Sequence, residues 1–118
     1  TVPILFKNNP KFILVEALID SGADFTILPI EIAGELNIKL NVKDKTTFHS
    51  AGGGQITVYP SPIKIEHVLR QAGFRNIIWK AHVVFAESQP GILLGQKGFL
   101  DQFRVTLNGK TKETEITQ

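Results

Sequence analysis

One short stretch of the sequence combines residue types that could hydrolyse a peptide bond: Asp20, Ser21 and Gly22 lie between two apolar segments. An ionised carboxylate in such surroundings is costly unless a neighbouring group compensates it. One solution is a second carboxylate that shares a proton with the first, because like charges about 3 Å apart cannot both stay ionised. Such a pair holds one acid and one base around a water molecule, which is what addition of water to a peptide carbonyl requires.

A plain turn is the alternative interpretation, since Asp, Ser and Gly are all common turn residues. An Asp-Ser/Thr-Gly tripeptide occurs by chance in about one chain in twenty of this length, so the tripeptide alone favours the turn. The apolar context favours the carboxylate pair. Because the sequence holds only one such tripeptide, a pair requires a second copy of the chain, placed by a two-fold axis as in the commonest oligomers.

The segments on either side of Asp20, which must hold its carboxylate in place, have mainly the sequence pattern of β-strands. Residues 2–6 and 12–19 predict two strands joined by a short loop. The second is nearly continuous in apolar residues, as for a strand that is buried on both faces. Residues 29–38 predict a short helix with Pro29 at its first position.

The rest of the chain extends the mainly β pattern. Residues 46–69 alternate on both sides of a glycine cluster and predict a hairpin with its tip at or near Gly52, Gly53 and Gly54. Residues 77–87 predict one strand, and residues 96–103 predict one or two helical turns. Residues 103–116 predict a last strand, an Asn-Gly turn and a weak return strand. With no repeat and no linker, we expect a single domain over residues 1–118.

In this context the sequence resembles the retropepsin-like aspartic proteases, the homodimeric relatives of pepsin. The segment "LIDSGAD" (18–24) is similar to the catalytic loop of that family, and "FHSAGGGQITV" (48–58) resembles its flap hairpin. The segment "ILLG" (92–95), followed by "QKGFL", is similar to the strand and short helix that brace the loop. The resemblance covers about residues 2–107. It implies an all-β acid protease fold, a small closed β-barrel-like protomer of a two-fold dimer.

The resemblance also implies a role for each matching residue. Asp20 is expected to be the catalytic carboxylate, supplied once by each protomer, while Ser21 makes hydrogen bonds across the dimer. Leu94 and Gly95 are expected to pack beneath the catalytic loop. The residues expected to contact the substrate are Gly22, Ala23, Asp24, Ser50, Ala51, Gly52, Gly53 and Gly54.

Three features depart from the family pattern. Viral members usually carry Arg directly after the apolar-apolar-Gly segment, where it pairs with an acid at the position of Asp24. Here Gln96 follows, and a neutral amide cannot form that ion pair. Residues 70–76 lengthen the strands between flap and brace, and residues 109–118 form an additional C-terminal tail.

Composition excludes several other classes of function. The net charge of +2 and pI of about 9.0 are too weakly basic to indicate a nucleic acid partner. There is no Cys, and the three His residues lack metal-ligand spacing, so we expect no cofactor and no metal. No apolar run approaches the length of a membrane span, and we expect a cytoplasmic protein. The chain lacks Met, so we expect a processed product, a trimmed chain or a domain cut from a longer protein.

These observations favour an aspartic endopeptidase that cleaves extended polypeptides at a water held between two Asp20 carboxylates of a homodimer. Its expected partners are a second copy of itself and a polypeptide substrate. The alternative is a non-catalytic dimerisation or peptide-binding module on the same fold, which Gln96 and the additional tail would allow. A plain β domain with an ordinary turn at Asp20 is the third interpretation, and it predicts a monomer.

Overall fold

Strands dominate the described part of the chain. The computed structural model describes residues 1–49, 54–70, 73, 75–101, 104–108 and 113–117. The strands in these ranges are β1 (Val2–Asn8), β2 (Lys11–Ile19), β3 (Ile27–Pro29), β4 (Thr46–His49), β5 (Gln55–Pro60), β6 (Ile65–Leu69), β7 (Ile77–Ala81), β8 (Val84–Ala86), β9 (Ile92–Leu94), β10 (Arg104–Asn108) and β11 (Glu113–Thr117). The helical elements are α1 (Ile30–Glu35) and one 3-10 turn (Val42–Asp44). The predicted all-β fold class is confirmed.

Nine of these strands form one mixed sheet, and β10 pairs with β11 in a separate antiparallel sheet. The order in the large sheet is β4-β5-β8-β3-β9-β2-β1-β6-β7. The two end strands, β4 and β7, do not pair with each other. Closure would require that pairing, so the expectation of a closed, barrel-like sheet is wrong and the sheet is open.

The hairpin predicted around the glycine cluster is present as β4 and β5, which pair antiparallel from Thr46↔Val58 to His49↔Gln55. Its tip, with Ser50, Ala51, Gly52 and Gly53, lies outside the described residues. The predicted return strand in the tail is β11, which pairs with β10 along five residues. Both hairpins therefore follow the alternation that the sequence shows.

The segment predicted as one strand over residues 77–87 is instead two strands, β7 and β8, separated by a corner. Ser61 explains the break, because it satisfies the main chain of Val83 in place of a neighbouring strand. The Ser61 hydroxyl accepts the Val83 N–H at 3.0 Å, and the Ser61 N–H donates to the Val83 carbonyl at 2.8 Å. This corner lets β7 pair with β6 while β8 pairs with β3 and β5.

Residues 96–101, the described part of the second predicted helical segment, form turns and no helix. Their main-chain bonds span five residues, from Leu100 N–H to Gly95 O and from Asp101 N–H to Gln96 O. Gly98 has a φ of +92°, a conformation that a right-handed helix does not contain. The predicted helix at residues 29–38 is present as α1, and it buries Ile32 and Ala33 against the sheet.

Strand β2 is not buried on both faces, which corrects the expectation from its apolar sequence. Its odd-numbered residues from Ile13 to Ile19 are buried or half-buried and pack in the core. Its even-numbered residues face solvent, and the apolar ones among them are 66%, 53% and 51% exposed: Phe12, Leu14 and Leu18. The core covers only one side of this strand.

Among the residues that the structure describes, one titratable group lies at the centre of the core: His67 of β6, which is 0% exposed. Its ring lies 4.9 Å from the rings of both Phe6 and Trp79. The Nδ1–H donates to the Ile65 carbonyl at 2.7 Å, while Nε2 has no hydrogen-bond partner in the described part of the chain. Burial among apolar groups disfavours the charged ring and lowers the pKa of His67 to about 4, against the weaker effect of the Ile65 carbonyl.

This burial predicts a loss of stability in acid. The unfolded chain binds a proton at His67 near pH 6.5 and the folded chain only near pH 4. The contribution is therefore complete above pH 6.5 and is lost as the pH falls from 6.5 towards 4, by about 3 kcal/mol in total. We expect urea unfolding at several pH values to show a smaller loss for His67→Leu than for wild type. Leu69→Val, a core change on the same strand, should shift all pH points equally, and equal slopes for wild type and His67→Leu would contradict the prediction.

Candidate active site

Asp20 stands directly after β2, where a neighbouring strand fixes its main chain. Strand β9 runs parallel to β2 with Ile19 opposite Leu94, and it also pairs with β3 through Ile27↔Leu93. The Asp20 N–H donates to the Leu94 carbonyl at 3.0 Å. Leu94 itself is completely buried, so the main chain of the acid is attached to a strand that is anchored in the core.

The loop after Asp20 is a tight turn closed by the acid itself. The carboxylate Oδ1 accepts the Gly22 N–H at 2.9 Å, and the Asp20 carbonyl accepts the Ala23 N–H at 3.2 Å. Asp20 is half-buried, whereas Ser21 and Gly22 are exposed. The turn therefore presents the hydroxyl and the glycine main chain to solvent beside a carboxylate whose direction is already set.

The brace that the sequence predicts at Leu94 and Gly95 lies directly against this loop. Main-chain bonds join the two segments, from Gln96 N–H to Ala23 O at 2.9 Å and from Lys97 N–H to Asp24 O at 3.0 Å. A Cβ on Gly95 would overlap the Phe25 carbonyl oxygen, and it would lie only 2.7 Å from the Ala23 carbonyl oxygen. Only glycine permits this approach of two backbones.

Thr26 is a supporting residue that the sequence analysis missed. It is 1% exposed, and its hydroxyl donates to the Lys97 carbonyl at 3.2 Å. The Gly95 N–H donates to the same hydroxyl oxygen at 3.4 Å. Its position in an apolar run, directly before β3, was the only available signal, because a buried threonine there needs a polar partner.

Gln96 also acts in a way that the sequence did not reveal. Its side-chain amide donates to the Ser21 carbonyl at 2.8 Å, across a separation of 75 residues. The residue that cannot form the ion pair of viral family members thus makes a neutral bond to the predicted catalytic loop itself. Gln96 positions the middle of the Asp-Ser-Gly turn relative to the brace.

We expect Gln96→Ala to lower the turnover of any Asp20-dependent reaction about tenfold, because a small displacement of a reacting group is costly. Thermal stability should change little, since an exposed hydrogen bond contributes about 1 kcal/mol or less. Gln89→Ala is the matched control, because the Gln89 amide also donates to a main-chain carbonyl, that of Gly91 at 3.0 Å. Equal turnover in Gln96→Ala and wild type would remove Gln96 from the site.

The structure brings some of the predicted site residues together and leaves others apart. The structure brings Asp20, Ser21, Gly22, Ala23, Leu94 and Gly95 into one cluster. Asp24 is exposed next to it. Gly54 is exposed directly before β5, and the other four predicted hairpin residues lie outside the described part of the chain.

An apolar cavity of about 350 Å³ lies between the segment after Asp20 and the hairpin. Phe25, which follows the loop, lines it together with Val58 of β5 and Val84 of β8. Lys97 lines it as well, with its ammonium 5.2 Å from the centre of the Phe25 ring. Its lining surface is mostly apolar, and its volume lies at the lower end of the range for small-ligand pockets.

The described residues give no indication of a metal site, because no three His, Asp or Glu side chains among them come close enough to hold an ion. Within the same ranges no helix is sufficiently long and apolar to cross a membrane.

The nearly all-β fold, with an Asp-Ser-Gly turn at the end of one strand and the Leu-Gly end of a second strand against it, is consistent with the acid protease class that the sequence resembles. Comparison with protein families agrees, since the model of the aspartyl protease family matches residues 8–97. The chain belongs to this family, in its retropepsin-like type. Membership supports a protease function in general. A search of curated proteins found no match to the chain.

Proposed function

We propose that this protein is an aspartic endopeptidase whose active site forms when two chains bring their Asp20 carboxylates together on a two-fold axis. The observation that carries the proposal is the geometry of the turn. Asp20 is tied through its main chain to Leu94 and through Oδ1 to Gly22 N–H. An acid held in this way can meet a twin at short distance without first losing side-chain freedom.

The proposed chemistry needs one proton between the two carboxylates. The unprotonated Asp20 removes a proton from a water molecule, whose oxygen attacks the carbonyl carbon of the scissile peptide bond. The protonated Asp20 of the other chain donates to the carbonyl oxygen, which gives a tetrahedral diol. Its collapse breaks the C–N bond as the amide nitrogen accepts a proton, and the shared proton returns to the pair.

The residues around Asp20 then serve the dimer and the substrate. The exposed hydroxyl of Ser21 is available for a hydrogen bond to the second chain, and the exposed main chain of Gly22 for one to the substrate. The peptide lies extended as an added strand, covered by the β4–β5 hairpin of each chain. The apolar cavity beside Phe25 accepts a hydrophobic side chain of the peptide, which gives a preference for apolar sequences.

The test is cleavage of a mixed peptide library by the purified wild-type chain between about pH 3 and 8, the range around the carboxyl and imidazole pKa values. A statine-type inhibitor, which mimics the tetrahedral intermediate, forms the second arm. Cleavage that the inhibitor blocks supports the proposal, and the cut sites report the apolar preference. The absence of cleavage from a folded dimer would overturn it in favour of a peptide-binding or dimerisation module.

A further inference from the structure

The apolar cavity beside the loop has a positive charge at its rim, on the exposed residue Lys97. The Lys97 ammonium lies 5.2 Å from the centre of the Phe25 ring, and both residues line the cavity. The lining holds no Asp or Glu among the residues that the structure describes; its other members are Thr46, Val58, Pro60, Ser61, His82, Val83 and Val84. The cavity therefore combines apolar walls with one lysine charge that no lining carboxylate offsets.

The main chain of Lys97 is fixed against the segment after Asp20. Its N–H donates to the Asp24 carbonyl at 3.0 Å, and its carbonyl accepts the N–H and the hydroxyl of Thr26, each at 3.2 Å. Lys97 and Phe25 are partners in a parallel bridge. Successive residues of extended chain point to opposite sides, so Gln96 reaches the Ser21 carbonyl while Lys97 faces the cavity. Two consecutive residues of the brace thus serve two different parts of the site.

The charge of Lys97 has no carboxylate partner within the described ranges of the chain, where Lys7 and Glu66 form the ion pair. Contact with an aromatic ring holds an ammonium in place but does not neutralise it. The neighbouring polar atoms are already bonded to one another and to main chain. The Ser61 hydroxyl accepts the Val83 N–H at 3.0 Å, and His82 Nδ1–H donates to the Ser61 carbonyl at 3.1 Å. Lys97 therefore keeps its charge available for a bound molecule.

We propose that Lys97 selects peptides in which an acidic residue stands two positions from the apolar residue that enters the cavity. This inference rests on the proposed function, in which an extended peptide lies between the loop and the β4–β5 hairpin. Alternate side chains of an extended peptide point to the same side and are about 6.7 Å apart. One of them can fill the cavity while the next on that side meets the ammonium at the rim.

The rim is a better place for the acid than the interior of the cavity. A carboxylate against Phe25, Val58 and Val84 would lose its water without a matching gain in hydrogen bonds. Lys97 is exposed, so a carboxylate beside it stays partly hydrated. An ion pair of this kind changes affinity by up to about fivefold, and a basic residue in the same place is repelled to a similar extent. Lys97 is thus a specificity-determining residue and is not required for the chemical step.

The test is a set of labelled peptides with one fixed apolar residue and Glu, Gln or Lys at each other position in turn. Binding to the Asp20→Asn chain is measured by fluorescence anisotropy, so that cleavage does not intervene. We expect Glu to bind about fivefold more tightly than Gln two positions from the apolar residue. Addition of Lys97→Gln should abolish this preference, and Lys97→Glu should reverse it towards Lys. About 1 M salt should also weaken the preference, because it screens exposed charges.

Lys11→Glu is the matched control, since it makes the same charge change at an exposed lysine at the start of β2, the end of the strand far from Asp20. It should keep the preference for Glu. The same preference in the Lys97→Glu chain, or one that salt leaves unchanged, would overturn the inference, as would the absence of binding by every peptide.

Cleavage of the same peptides by chains with Asp20 intact separates this inference from the proposed function. A Lys97-dependent preference for Glu in binding, without any cleavage, would support the role of Lys97 and overturn the protease. Cleavage with no preference among Glu, Gln and Lys would overturn the role of Lys97 and leave the protease standing.

Discussion

Replacement of Asp20 by asparagine will lower peptide cleavage by at least about 10³-fold, while the chain keeps its fold. Asparagine retains a side-chain oxygen that can accept the Gly22 N–H, the bond that Asp20 Oδ1 makes at 2.9 Å. It cannot take a proton from water at neutral or acidic pH. The variant therefore loses the catalytic base but keeps the structure of the turn. The measurement is initial cleavage rate together with the thermal unfolding curve.

Asp101→Asn is the matched control for this variant. Asp101 Oδ1 also accepts a nearby main-chain N–H, that of Gly98 at 3.1 Å, but the residue stands outside the Asp-Ser-Gly turn. Cleavage should survive in Asp101→Asn. Full activity in Asp20→Asn with the fold intact would remove the proposed mechanism altogether.

Mixing experiments reveal whether the site is shared between chains. If each active site needs Asp20 from two chains, an equal mixture of wild type and Asp20→Asn leaves about one quarter of the dimers with both acids after random exchange. Activity per total chain should therefore fall to about a quarter of the wild-type value. A fall only to one half would mean that a single chain holds the complete site, and the homodimer would be wrong even though Asp20 is catalytic.

The largest effect on stability is expected from Gly95→Ala. The new methyl group would lie 2.6 Å from the Phe25 carbonyl carbon and 2.7 Å from the Ala23 carbonyl oxygen. Both are backbone atoms of the segment after Asp20 and cannot rotate away as a side chain does. We expect a loss of about 3 kcal/mol or more in the free energy of unfolding, which is a large part of the stability of a domain of this size.

Gly34→Ala is the control for the loss of glycine itself. A Cβ on Gly34 would meet nothing within 4 Å, and alanine is favoured over glycine inside a helix by about 1 kcal/mol. Gly34→Ala should thus stabilise the chain slightly in the same urea unfolding measurement. If Gly95→Ala unfolded at the same urea concentration as wild type, the close packing of brace and loop would be refuted.

The loss of stability that His67 causes in acid is expected to limit the pH range of the proposed protease activity. A shared proton between carboxylates is easiest to keep in acid, whereas the buried imidazole makes the fold less stable below about pH 6.5. The acid limit of activity should then coincide with loss of structure. In His67→Leu, cleavage should extend to lower pH than in wild type if the two limits have this common cause.

The sequence by itself determined the features that depend on neighbours along the chain. An acid followed by Ser-Gly at the end of an apolar run predicted the Asp-Ser-Gly turn, while the brace at Leu94 and Gly95 was implied by the resemblance to the retropepsin-like proteases. Alternation around the glycine cluster predicted the β4–β5 hairpin, and the apolar spacing after Pro29 predicted α1. These patterns are local because backbone periodicity and turn chemistry act over a few residues.

Only the tertiary structure decided which faces are covered and which distant groups meet. Residues 12–19 are apolar on both faces, yet Leu14 is exposed because the core packs against the other side of its strand. Residues 77–87 have one strand pattern, yet Ser61 takes the main-chain bonds of Val83 and divides it. In the sequence Gln96 was only a departure from a family pattern. The structure shows that its side-chain amide donates a hydrogen bond to the Ser21 carbonyl, 75 residues away. A pattern along the chain records which residues favour burial or hydrogen bonding, and the partners that satisfy them are fixed only when remote segments are brought together.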